Sequence, residues 1–257
     1  MEPMHLGCVT YNVLKDLDLE GIIQLLEASG FEAVELRTEH KHGVEPSIPR
    51  TERDKVRERF ARSRVRLLSF GSTCEFQSPD PAVRRRNIEL GKQWVELAHD
   101  TGALAVKVRP NGLPAGVPVE TTVRNIGESL HELGEYGSRY GVEIWMEVHG
   151  GQTQNPPLAG AILKAADHRN VGACWNSNPT DVVNGSVAAS FELLRPYIRN
   201  AHINELANDK YPWRELFSLM KRSGYDRYCL CECAESKEPG RFLSYYRALF
   251  RELGGAA

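Results

Sequence analysis

The chain lacks an excess of either charge: among 257 residues, 32 Lys and Arg stand against 34 Asp and Glu. A net charge of −2 gives no basic footprint for nucleic acid or an anionic membrane surface, and leaves a small neutral or anionic molecule as the expected partner. Long apolar runs are missing too; none approaches the ~18 residues of a membrane-crossing helix. The opening MEPMHLGCVTYN has no basic region followed by an apolar stretch, so a cytoplasmic location without a secretory leader is expected. Cysteines number only six. Cys8, Cys174, Cys229, Cys231 and Cys233 fall inside predicted strands and Cys74 in a strand-end loop, a pattern of reduced core thiols and not of a disulfide scaffold. Walker-type and dinucleotide-binding glycine fingerprints are also absent, so neither a nucleotide nor a nicotinamide cofactor is supported.

What is present is a regular alternation. Glu143–Gly150, EIWMEVHG, reads as a strand buried on both faces, with Ile144, Trp145, Met146 and Val148 as its apolar run. Further strands are predicted at Leu6–Asn12, Ala33–Thr38, Val65–Ser72, Ala103–Arg109, Val171–Asn176, Ile198–Glu205 and Tyr228–Glu235. Helices are predicted between them at Leu19–Ser29, Arg53–Ser63, Pro81 to Gly102, Thr121–Tyr140, Leu158–Ala166, Val187–Arg195 and Trp213–Arg222, with a last one at Arg241–Leu253. Asp18 and Asp80-Pro81 are start signals, and Gly30, Gly102, Gly141 and Gly224 are stop signals. Eight strand–helix alternations with no linker fit an α/β fold, a (β/α)8 TIM barrel occupying residues 1–257 as one domain.

Such barrels place their chemistry at the C-terminal ends of the strands. Four late strands each end on a polar candidate: Glu147 in IWMEVHG, Asn176 in VGACWN, His202 in NAHIN and Glu232 in CLCEC, spaced 29, 26 and 30 residues apart. That is about one βα unit each time, so adjacent strands would bring all four to one mouth. A carboxylate late in a buried strand needs a hydrogen bond, an ion partner or a metal. Glu147 could be satisfied by Arg or backbone N–H alone, but four oxygen and imidazole donors together suit Mn²⁺, Mg²⁺, Co²⁺, Fe²⁺ or Zn²⁺.

With these motifs the chain resembles the xylose-isomerase-like barrel family of sugar isomerases and epimerases over its whole length. The resemblance implies a divalent metal, manganese first, held by Glu147, Asn176, His202 and Glu232, with Glu147 and Glu232 as the acid–base pair facing a sugar or polyol-derived ketone. The family pattern has Asp where this chain has Asn176, followed by Ser177-Asn178-Pro179-Thr180-Asp181. The site therefore carries one carboxylate fewer, and Asp181 stands as an alternative ligand. The expected reaction is proton transfer through an enediolate. A metal-dependent lyase or dehydratase on a keto-sugar or keto-glycoside is the first alternative, and a sugar-binding barrel with a decayed metal site the second. The DNA-repair branch of the superfamily would need more His and Asp ligands and a basic face.

Lys107, Arg109, His149, Glu205 and Glu35 also fall near predicted strand ends. Lys107 and Arg109, two residues apart, point the same way; they either neutralise an anionic group of the substrate or pair with neighbouring Glu. The thiols of Cys229, Cys231 and Cys233 should face the helices, opposite to Glu232. His40 and His42 read as solvated residues of a loop that could close as a lid. Tyr211 and Trp213 read as exposed aromatics suited to an interface or to closing over a ligand, and a homodimer or homotetramer is the family-level expectation.

Overall fold

The alternation of side chains along each strand decides which ones enter the barrel. A computed structural model describes residues 4–255. Its eight parallel strands close in sequence order: β1 (His5–Val9), β2 (Ala33–Arg37), β3 (Arg66–Glu75), β4 (Ala105–Arg109), β5 (Glu143–Glu147), β6 (Val171–Asn176), β7 (Ile198–Ile203) and β8 (Tyr228–Cys231), with β8 pairing back onto β1. Around them run α1 (Leu19–Ser29), α2 (Arg50–Ala61), α3 (Pro81–Thr101), α4 (Val119–Tyr140), α5 (Pro156–Ala166), α6 (Ala188–Leu194), α7 (Trp213–Arg222) and α8 (Pro239–Glu252). This is the single (β/α)8 barrel that the alternation predicts. No helix among the described residues is long and apolar enough to cross a membrane.

Outward-facing residues such as Val106, Ile144, Ala173, Trp175, Ala201 and Cys229 pack with the helices in one continuous core. Inward-facing residues form a second, smaller cluster: Val9, Ala33, Leu68, Ala105, Trp145, Cys174 and Leu230. It fills the barrel as a dry floor, as expected of a packed core and not a pore. Helix starts follow local chemistry. Asp18 accepts a hydrogen bond from Gly21 N at 2.8 Å and Asp80 one from Ala82 N at 2.8 Å, each satisfying an amide that the first turn leaves free.

Several boundaries differ from the sequence reading. β1, β5, β7 and β8 end earlier, at Val9, Glu147, Ile203 and Cys231, because the polar residues beyond leave the ladder for loops. β3 runs longer, to Glu75, across a register shift that pairs Glu75 with Arg109, so Cys74 lies in a strand and not in a loop. All six cysteines are free and buried; Cys229, Cys231 and Cys233 belong to the helix-side core, and Cys229 Sγ lies 4.0 Å from Met220 Sδ of α7. Tyr211 and Trp213 are not exposed. They keep 6% and 4% of their surface, with ring centroids 4.2 Å apart, so neither offers an interface. His40 and His42 are likewise structural: His40 Nδ1 lies 2.8 Å from Thr10 Oγ1 and His42 Nε2 2.9 Å from Arg37 O. Burial, with Arg37 and His42 nearby, pushes the His40 pKa down to about 4.

Helices α4 and α5 approach each other closely at Gly127. A Cβ at Gly127 would lie 2.7 Å from Ala165 Cβ and 2.9 Å from Ala165 C, nearer than packed atoms can approach. Gly127→Ala is therefore expected to lower the unfolding free energy by about 1–3 kcal/mol, with Ala165→Gly in the same chain recovering part of the loss. Denaturant unfolding checks this; an unchanged midpoint in Gly127→Ala would contradict the contact.

Candidate functional site

Two residues beyond five of these floor side chains, the same face of the strand turns polar. Ala33 leads to Glu35 in β2, Ala105 to Lys107 in β4, Trp145 to Glu147 in β5, Cys174 to Asn176 in β6, and Leu230 to Glu232 just past β8; in β7 Asn200 precedes His202. Parallel pairing places these residues in neighbouring registers, such as Asn176 beside His202. The late-strand candidates thus meet at the C-terminal mouth, immediately above the apolar floor.

His202 is their centre. Its Nδ1 lies 3.6 Å from Glu147 Oε1 and 3.5 Å from Glu232 Oε2, and one ligand atom from each of Glu147, His202 and Glu232 falls within 4.8 Å of the others. On the far side of the ring, Nε2 lies 3.4 Å from Glu35 Oε1. Lys107 Nζ donates to Glu147 Oε2 at 2.7 Å, and Asn176 Nδ2 donates to Glu147 Oε1 at 3.3 Å. Both ring nitrogens of His202, Glu35 Oε1 and Asn176 Oδ1 are buried without a hydrogen-bond partner. Buried polar atoms are rarely left so, and several orphans around one point mark a place for a further ligand.

Charge gives the same answer. Burial pushes the Glu147 carboxyl up, but the Lys107 ammonium and His202 outweigh it and hold its pKa well below the usual range. Burial likewise opposes charge on Lys107, and Glu147 and Glu35 reverse that. For His202, burial is outweighed by Cys174, Glu232 and Glu35, so its pKa stands well above the ordinary value. With His202 neutral, as a metal ligand is, three carboxylates and one ammonium leave two negative charges in the pocket, the complement of one divalent cation. The residues fit such an ion: Glu147 and Glu232 offer carboxylate oxygens, His202 its Nδ1, and Asn176 its unpartnered Oδ1.

The other candidates divide. Lys107 points into the mouth but is engaged by Glu147. Arg109 is paired with Glu75. His149 is half-buried with Nδ1 unpartnered, and its carbonyl accepts from Thr153 Oγ1; Glu205 is exposed beyond β7 and joins no ion pair among the described residues. Glu35 and Ser69 belong to the cluster although the sequence reading gave neither a role. The signal available was Glu35 at period two from Ala33.

Asp181 does not join the metal-ligand set. It closes a turn at Pro179–Asp181, where its Oδ2 accepts from Asn178 N at 2.8 Å and from Tyr211 Oη at 2.8 Å, while Trp175 Nε1 donates to Tyr211 at 3.2 Å. Asn178 Nδ2 in turn donates to Val148 O at 2.7 Å and to Asn176 O at 3.1 Å. This network fixes the loop that follows Asn176. Burial pushes the Asp181 pKa up to about 7, with the Tyr211 hydrogen bond opposing it. A folded-state pKa raised this way means that the folded chain holds a proton that the unfolded chain has lost. Its contribution is full below about pH 4 and is lost as pH rises through about 7, by up to about 4 kcal/mol. The difference in unfolding free energy between wild type and Asp181→Asn should therefore shift against wild type over that window; a pH-independent difference would contradict it.

The sequence profile of the xylose isomerase-like TIM barrel family matches residues 23–248. No curated protein matches the chain in sequence. Among solved structures it is similar to D-psicose 3-epimerase from Clostridium cellulolyticum H10 with D-tagatose, at 14% identity over 98% of this chain and 100% of that one, TM-score 0.82. A 3-keto-D-glucoside 4-epimerase from E. coli, in apo form, is similar at 12% identity over 97% and 99%, TM-score 0.80. The IOLI protein with a binding zinc atom is similar at 18% identity over 98% of each chain, TM-score 0.78. At these identities the likeness is one of fold. With a profile match over most of its length and the closed eight-stranded barrel to go with it, the chain belongs to the xylose isomerase-like TIM barrel family.

Proposed function

We propose that this protein is a divalent-metal-dependent isomerase or epimerase of a small sugar or polyol-derived ketone, with Glu147 and Glu232 as its acid–base pair. The observation that carries the reading is the convergence of Glu147, His202 and Glu232, with ligand atoms within 4.8 Å of one another around unpartnered atoms of His202 and Asn176. The similar structures include a D-psicose 3-epimerase and a 3-keto-D-glucoside 4-epimerase, enzymes of keto-sugars by name, and one with a zinc atom bound.

Moving a proton at a carbon beside a carbonyl needs a base, an acid to return the proton, and positive charge where the carbonyl oxygen turns negative. A bound divalent cation supplies that charge. The two carboxylates are unequal in a way that suits two roles. Glu147 is buried and held by Lys107 and Asn176, which fixes its position and keeps it ionised. Glu232 keeps 18% of its side-chain surface, faces the opening, and among the described residues has only His202 within ion-pair distance. Substrate entering the mouth meets Glu232 first, so Glu232 takes or returns the proton on the open side and Glu147 serves the inner one. Lys107, behind Glu147, is placed to accommodate the change in charge as a proton comes and goes. His149, two residues past β5, and Arg109, at the end of β4 and paired with Glu75, are the residues we assign to contact substrate hydroxyls.

Incubating the metal-loaded protein with ketoses and keto-glycosides in heavy water tests this. Deuterium is expected to enter the substrate beside its carbonyl, and Glu147→Gln and Glu232→Gln should each reduce incorporation by about 10²–10⁴-fold with the fold intact. A variant that retains wild-type incorporation removes its residue from the mechanism. Loss of a leaving group in the products, in place of isomerisation, would move the reaction to the lyase class with the same acid–base pair.

A further inference from the structure

Glu35 is fully buried in β2 at 0% exposure, and the acid–base pair makes no use of it. Burying a carboxylate costs several kcal/mol unless its oxygens are engaged. Ser69 Oγ donates to Oε2 at 2.8 Å. Oε1 has no hydrogen-bond partner and lies 3.4 Å from His202 Nε2, which has none either. The other ring nitrogen, Nδ1, faces Glu147 and Glu232. The slot for the carboxylate exists because position 71 is glycine: a Cβ there would come 2.8 Å from Glu35 Oε1. A carboxylate facing Nε2 keeps the imidazole proton on that nitrogen, leaves the lone pair on Nδ1, and makes Nδ1 a more basic ligand.

We propose that Glu35 is a positioning residue for the metal centre: acting through His202 Nε2, it sets the orientation and tautomer of the imidazole so that Nδ1 is presented to a cation shared with Glu147 and Glu232. This rests on the metal-dependent reading above and adds a residue that touches neither cation nor substrate. Ser69 orients Glu35, and Gly71 makes room for it.

Zinc alone, titrated calorimetrically into chelator-stripped protein, is the probe, paired with proton NMR of the imidazole N–H in the zinc-loaded state. Glu35→Gln keeps the shape and removes the charge. It is expected to raise the Kd for zinc about 10–100-fold and to move the His202 Nε2–H signal upfield, since that proton then faces a weaker acceptor. Ser69→Ala, which loosens Glu35 without changing its charge, is expected to move the same signal and weaken zinc binding by less. Unchanged affinity or an unmoved signal in Glu35→Gln overturns the assignment while leaving the metal centre standing; should that variant not fold, an unmoved signal in Ser69→Ala does so. Wild-type protein that takes up no zinc overturns both the centre and the role of Glu35.

Discussion

Three carboxylates, Glu35, Glu147 and Glu232, share a largely dry barrel mouth with a single ammonium, Lys107. The rest of the site depends on how that imbalance is met. Ionised groups withdrawn from water are costly unless opposite charge stands close by. Lys107 answers one carboxylate directly; His202, placed between the others, answers part of the remainder when protonated. A divalent cation would answer it fully and let His202 act as a neutral ligand, so the same residues that suffer from burial become a binding site. Asn at position 176, where the resemblance implies Asp, is intelligible in these terms, because with Lys107 and Glu35 counted the pocket already balances a charge of two. A further carboxylate would leave it negative with the ion in place.

Strand periodicity builds this arrangement cheaply. One layer of small and apolar residues, including Ala33, Ala105, Cys174 and Leu230, seals the barrel, and a step of two along each strand brings Glu35, Lys107, Asn176 and Glu232 to the layer above. The floor excludes water from below and so strengthens every electrostatic contact above it. The loop after β6 is then tied down from outside the barrel, through Asn178, Asp181, Tyr211 and Trp175, so that Asn176 is held by packing and not by its own hydrogen bond alone.

How much of this was legible in the sequence follows from what each signal measures. Apolar periodicity and capping chemistry report local structure, so α1 and α7 and strand β6 appeared with their observed limits, and eight alternations gave the barrel. The spacing of Glu147, Asn176, His202 and Glu232 carried the site, because a barrel converts one βα unit of sequence into one step around the mouth. Side-chain partnerships between one strand and another were not legible. Nothing local says that Lys107 meets Glu147, that Arg109 meets Glu75, or that Glu35 faces the back of His202; these depend on register shifts such as that between Val34 and Glu35 in the β2–β3 pair. Tyr211 and Trp213 misled for a related reason. They lie in a polar segment, and only the fold brings Asp181 and Trp175 over to cover Tyr211.

The central claim, that the mouth of this barrel holds one divalent cation through Glu147, His202 and Glu232, is tested most directly by calorimetric titration of manganese into chelator-stripped protein at neutral pH, wild type beside His202→Gln. The account predicts one ion per wild-type chain, with protons released as His202 turns from cation to ligand, and loss of that isotherm in the variant. No uptake by wild type, or equal uptake by the two proteins, would contradict it.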